Sequence, residues 1–195
     1  PTGPEGEDGE AATVSVGTVT TGEPGSNAQV TNSGTENAAV LNFTIPRGAT
    51  GGSSPIQLLS AYSTPPQTGS GQTALIFDRN ALVYGSAVSH ANNSPNITIN
   101  QAGIYTLSFN GGFAPGSNVN FPLNVLTVAK LNGVTVPGAA TQQSFHTSSD
   151  VVNQSFNVPI AVSTVPATLQ IVSTGTAFLY SNIQVSLFRN GDIPT

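Results

Sequence analysis

Apolar side chains at every second position, interrupted at short intervals by turn-forming clusters, constrain this chain more than any other feature. Ile97 and Ile99 flank Thr98. Tyr105, Leu107 and Phe109 alternate with Thr106 and Ser108. Leu126 and Val128 flank Thr127, and Ile183, Val185 and Leu187 alternate with Gln184 and Ser186. A period of two puts one set of side chains on one face of a strand. Between these runs lie Asn92-Asn93-Ser94-Pro95, Ala102-Gly103, Pro115-Gly116-Ser117-Asn118 and Asn132-Gly133. The last is a strong hairpin signal, because both central residues of a type I′ turn take positive φ. With no helical period over residues 56–195, some eight or more short strands in roughly 140 residues predict a β-sandwich, jelly roll or barrel.

The first 55 residues read differently. Gly3, Gly6 and Gly9 recur at every third position, as PTG-PEG-EDG. Collagen needs that period, since only Gly fits at the crowded axis of three wound chains. Residues 1–11 therefore read as the end of a collagen-type stalk. In residues 12–50, Val14 and Val16 alternate with Thr13 and Ser15, and Leu41, Phe43 and Ile45 alternate with Asn42 and Thr44. Turn signals at Glu23-Pro24-Gly25-Ser26-Asn27 and Asn32-Ser33-Gly34 separate the two runs. So few large apolar groups cannot build an independent core. The segment is expected to be a small intertwined β module made with two copies of itself. Residues 51–55 read as a Gly/Ser linker, and residues 56–195 as a C-terminal head.

Composition narrows the function. Charged residues are only 7% of the chain and hydrophobic ones 37%, which argues against disorder. The net charge of −5 resides wholly in residues 1–55, where six acids face Arg47 alone. In the remainder Asp78, Asp150 and Asp192 balance Arg79, Lys130 and Arg189. Three scattered cations cannot replace the counterions around a nucleic acid or bind an anionic membrane surface. No apolar run approaches the length of a membrane-spanning helix. Absence of Cys excludes disulfides and thiolate metal sites. The chain opens at Pro1 without an initiator methionine, as a fragment or processed chain would.

On these residues the chain resembles a known group. Asn96–Phe109, NITINQAGIYTLSF, is similar to the signature strand pair of the C1q/TNF jelly-roll superfamily, in which an apolar strand leads through a Gly-aromatic turn into a second strand. Val125–Pro137, VLTVAKLNGVTVP, resembles the hairpin that follows, and Ala167–Asn190 the closing strands. In texture the head resembles those of bacterial collagen-like proteins, including the BclA-like exosporium glycoproteins of Bacillus and Clostridium spores. The middle segment resembles a spacer found in collagen-like surface proteins of Firmicutes and in tail fibres of their phages. The resemblance implies a homotrimer whose head is a C1q/TNF-like jelly-roll β-sandwich. It implies an extracellular, structural and adhesive role at the tip of a fibre on a spore or cell surface, with other spore-coat or fibre proteins upstream. The alternative is a phage tail-fibre tip that recognises a bacterial surface glycan. The head lacks the clustered carboxylates with which relatives hold calcium, so no metal site carries over.

Chemistry-bearing residues are sparse. His90 and His146 each neighbour Ser or Thr, and Asp78 and Asp150 are present, but no Gly-x-Ser-x-Gly elbow occurs. Neither an enzyme nor a cofactor is expected, and both histidines should sit in loops or at strand ends. Asn110-Gly111-Gly112 and Gly69-Ser70-Gly71 lack the Lys and following helix of a phosphate loop and read as ordinary loops. Four Asn-x-Ser/Thr patterns begin at Asn42, Asn92, Asn96 and Asn153; chance explains them in a chain this rich in Asn, Ser and Thr. The candidate binding surface is a pair of uncharged polar loops, 116–120 and 141–149. Asn118, Asn120, Gln142, Gln143, Phe145 and His146 supply amides and an aromatic ring suited to a carbohydrate or host-surface receptor. Tyr105, Leu107, Phe109, Ile183, Val185 and Leu187 are the candidate packing residues of the core and the trimer.

Overall fold

A computed structural model of the chain describes residues 2–6, 9–49 and 55–194. It is all β and divides into two compact units, residues 1–53 and 54–195. The described residues of the expected stalk, which include Gly3, Gly6 and Gly9, belong to no strand. Glu7, Asp8 and most of the expected linker lie outside the described residues.

The first unit is a single three-stranded sheet: β1 (Thr13–Gly22), β2 (Gln29–Asn32) and β3 (Ala38–Pro46), in the order β1-β3-β2. β1 runs parallel to β3, and β2 antiparallel to it. Val14, Val16 and Val19 lie beside Ala39, Leu41 and Phe43. The odd spacing from Val16 to Val19 is a bulge at Gly17-Thr18, and it returns Val19 to the face that Val14 and Val16 occupy. The Asn42 side chain fills the bulge and accepts the Thr18 N–H at 2.8 Å. A Cβ on Gly17 would overlap that side chain and approach Val40 Cγ1 to 2.9 Å. The opposite face is polar, with Thr20 and Thr44 hydroxyls 3.1 Å apart.

The second unit is a sandwich of ten strands. They are β4 (Leu58–Ser63), β5 (Gln67–Ala74), β6 (Arg79–Tyr84), β7 (Val88–His90) and β8 (Ile97–Ile99), then β9 (Gly103–Pro115), β10 (Leu123–Leu131), β11 (Val134–Phe145), β12 (Val152–Val162) and β13 (Ala167–Gly191). One layer runs β6-β4-β13-β9-β12 and the other β7-β8-β13-β10-β11. β13 serves both layers: its first half pairs with β8 and β10, its second half with β4 and β9. β5 pairs with it across the bend between them.

Period-two patterning puts the core between the layers. Tyr105, Leu107, Phe109 and Phe113 of β9, with Ile183, Val185 and Leu187 of β13, face Ile97, Ile99, Val125, Leu169 and Ile171 of the other layer, all buried. The few buried polar groups are mostly paired. Thr127 and Ser173, cross-strand neighbours, share a 2.7 Å hydrogen bond. Gln154 of β12 donates to the Val125 carbonyl of β10 at 2.9 Å and ties the layers together.

Two glycine-rich stretches expected to be loops are strands. Gly69-Ser70-Gly71 lies in β5 and Asn110-Gly111-Gly112 in β9. At Gly69 and Gly111 bulky neighbours take the side-chain space, whereas Gly71 supplies a left-handed φ of 58°. A Cβ on Gly69 would come within 2.5 Å of the Phe178 ring, and one on Gly111 within 2.7 Å of Ile183 Cγ2. The expected hairpin is present: Asn132 and Gly133 have φ of 50° and 82°, and Leu131 pairs with Val134. Gly133→Ala forces an L side chain into that left-handed region. It should lower stability by about 1–2 kcal/mol, read as a fall in the urea midpoint at constant m-value.

Candidate functional site

Titratable groups do not converge. Among the described residues no three of His, Cys, Asp and Glu are grouped so as to hold a metal ion. His90 ends β7. Its Nδ1 lies 2.7 Å from Asn80 Oδ1 and its Nε2 3.0 Å from the Ser94 carbonyl, so both ring nitrogens are engaged structurally. Asp150 does not orient the His146 imidazole. Its carboxylate accepts the backbone N–H groups of His146 (2.7 Å) and Thr147 (3.0 Å) and the Thr147 hydroxyl (2.7 Å), closing the turn after β11. Those donors, the Thr147 hydroxyl first, hold its pKa at about 2, well below the ordinary carboxylate range. A depressed carboxylate stabilises the fold above its unfolded pKa, and that contribution is lost as the pH falls through about 2. An NMR titration should therefore show Asp150 with a midpoint near 2, and Asp150→Asn should remove the corresponding step in stability between about pH 4 and pH 2.

Two other surfaces stand out. On the outward side of the β6-β4-β13-β9-β12 layer, cross-strand neighbours form rows. One reads Tyr84, Leu58, Phe188, Thr106, Pro159, and the next Leu82, Ser60, Ser186, Ser108, Asn157. Neither row contains a charge. Tyr84, Leu82 and Phe188 are 55%, 48% and 43% exposed. The polar members bond to one another: Gln184 Nε2 and Ser186 Oγ both donate to Ser60 Oγ, at 3.1 and 3.2 Å, and Asn157 Nδ2 to Ser108 Oγ at 2.9 Å. The face has satisfied its own hydroxyls and presents apolar groups between them.

The second surface is an open groove of about 840 Å³ on the outward side of the other layer. Gln142 of β11, Leu126 of β10 and Thr174 of β13 are cross-strand neighbours that run across it. The loop between β9 and β10 supplies Asn118 and Asn120 to one wall, and Gly71 of β5 borders it too. Asn118 takes a left-handed φ of 58° at the head of that loop.

Of the six residues expected to bind a ligand, the structure gathers Asn118, Asn120 and Gln142 on this groove. Gln143 does not join them, because consecutive residues of a strand point to opposite faces and residues 141–145 are strand rather than loop. Phe145 is corrected outright. The same alternation turns it into the core, fully buried, and it offers no ring to a ligand. His146 lies in the turn beyond and does not line the groove. Asn124, Leu126, Thr174 and Thr176 were missed as groove residues. No sequence signal marks Leu126: its alternation with Thr127 and Val128 assigns it to the apolar set, whereas β10 buries Val125, Thr127 and Ala129 and turns Leu126 outward. Tyr105, Leu107, Phe109, Ile183, Val185 and Leu187 all point into the sandwich core, so their side chains are not available at the surface for the trimer packing expected of them.

The sandwich, with its shared β13, defines an all-β jelly roll of the TNF-like kind. Its solved counterparts include murine APRIL at pH 5.0, with a TM-score of 0.51 at 13% identity over 68% of this chain and 99% of that one. The Eiger TNF of S. frugiperda gives 0.47 at 12% identity, covering 73% of this chain and 97% of that one. Pika GITRL gives 0.39 at 12% identity, over 72% and 100%. At such identities the likeness is one of fold. No family model matches the chain, and no curated protein matches it.

Proposed function

We propose that the chain is the non-catalytic end of a homotrimeric, collagen-like fibre, displayed on a bacterial spore or cell surface and serving in attachment. One observation carries this reading. The sheet of the first unit has an apolar face with nothing over it. Val14, Val16, Val19, Val30 and Ile45 are 72%, 69%, 58%, 57% and 56% exposed, and among the described residues of that unit none is buried. Such a sheet has no core of its own, and three strands need a covered hydrophobic face to be stable. Two further copies of the same chain supply one. The Gly3, Gly6, Gly9 triplets next to it in sequence require three chains by their own geometry. The two uncharged rows through Tyr84, Leu82 and Phe188 give the head a second surface on which identical copies can meet, with Arg79, stacked over Tyr62, at its edge in the next row.

Immunogold electron microscopy tests the reading, using an antibody against residues 56–195 on spores and on induced phage particles of the source strain. Label at the tips of surface filaments is the expected result. Label confined to virion tails would overturn the coat role and make the head a phage receptor-binding tip.

A further inference from the structure

We infer that the groove between β10, β11, β13 and the β9–β10 loop is a binding site for a neutral oligosaccharide. The inference deepens the adhesive reading and rests on it only for biological setting. The argument starts from what the groove lacks. No Lys, Arg, His, Asp or Glu lines it, so an ionic ligand would lose its hydration and find no counter-charge. A fully apolar ligand fits no better, because it would cover amides and leave them unpaired.

What the groove offers is free hydrogen-bonding capacity. Among the described residues, the side chains of Asn118, Asn120, Gln142, Thr174 and Thr176 have no hydrogen-bond partner. Amides elsewhere on the head are often tied into the fold: Gln57 accepts the Ser86 and Ala87 N–H groups, Asn132 accepts the Thr168 N–H, and Gln170 donates to Asn96. Asn124 is half engaged. Its Oδ1 accepts the Ser144 hydroxyl, which fixes the amide and leaves its Nδ2 to donate. The wall is thus a set of donors and acceptors with no charge, matched to vicinal hydroxyls that both donate and accept.

The floor between those groups is aliphatic. Leu126 is 38% exposed between its cross-strand partners Gln142 and Thr174, with half-buried Val119 nearby. It gives the C–H face of a sugar ring an apolar seat. Gly175 borders the floor with bare backbone, and a Cβ there would point the other way, into the core, 3.1 Å from Val125 Cγ2 and 3.2 Å from the Phe178 ring. The volume, about 840 Å³, falls within the roughly 300–1,000 Å³ of small-ligand sites. The groove lies on the layer opposite the Tyr84 and Leu82 rows proposed for self-association, so a trimer assembled through them would keep all its grooves open and bind surfaces with avidity.

The full chain, as the assembled protein, is applied to arrayed maltotriose, chitotriose and cellotriose, with sialyllactose and heparin fragments as anionic controls. Binding to at least one neutral trisaccharide and not to the anionic controls is expected. Asn120→Ala and Gln142→Ala should each weaken that binding about tenfold or more, the size expected when one hydrogen bond to a ligand is lost. Both side chains are exposed and unbonded, so circular dichroism and thermal midpoints should not move. Absence of binding to every neutral sugar, preference for the anionic controls, or unchanged binding by both variants would each overturn the site. Filament-tip labelling without sugar binding would reject the groove and leave the fibre reading standing. Groove-dependent sugar binding without surface label would do the reverse.

Discussion

Replacing Phe178 with alanine should cost the head about 3–5 kcal/mol, the range for removing a buried aromatic from a core that cannot collapse around the gap. Phe178 sits at the bend of β13, 1% exposed, with Phe113 and Tyr180 rings 6.2 and 6.3 Å away. Beneath it β5 contributes Gly69, which has no side chain to move into the void. The pairing makes a sharper test than either position alone. Gly69→Ala should destabilise the natural protein, because its new methyl overlaps the ring. In the Phe178→Ala background the same methyl enters empty space and should recover part of the loss. Urea unfolding of the four proteins in the cycle gives the coupling directly, and its sign must be favourable. Additive costs would mean that Gly69 is not the seat of Phe178.

The second large effect concerns assembly. Val16 is 69% exposed in the isolated chain. If the chain acted alone, Val16→Asp would be a surface change worth within about 0.5 kcal/mol either way. In the proposed trimer the same aspartate is carried into an apolar contact three times over. An unpaired buried charge is not tolerated there. The expected result is loss of the β1–β3 sheet signal and a trimer that falls apart more readily on dilution, with the sandwich itself still folded. Val16→Thr, which keeps the β-branched shape without a charge, should assemble and melt at a lower temperature. The contrast between the variants separates an interface from a merely awkward residue.

Much of the head was legible in its sequence, and the reasons are local. The Asn132-Gly133 turn and the alternating runs at 97–99, 105–109, 126–128 and 183–187 all fall in the strands and hairpin they predicted. Each carries its own period or turn chemistry. β5 was not legible: QTGSGQTA has the composition of a linker. It is a strand only because Phe178 and the rest of β13, a hundred residues further on, need a thin partner. The groove proposed as a binding site was half legible for a similar reason. A cluster of amides is visible in composition, but only the phase of β11 decides that Gln142 faces outward while Gln143 and Phe145 face inward. That phase is set by pairing with β10. In the first unit, the two runs containing Val14 and Leu41 were plain as strands. Their parallel pairing through a bulge was not, because the signal is a glycine whose space Asn42 occupies.

One measurement bears most directly on the account: the mass of the intact protein in solution by light scattering after size exclusion, at micromolar concentration and in both low and high salt. A chain of 19.7 kDa should elute as an assembly of about 59 kDa in both, since few charges are present for salt to screen. A mass near 20 kDa for a folded protein would leave the apolar face of β1–β3 without the partners on which the fibre reading depends, and would contradict it.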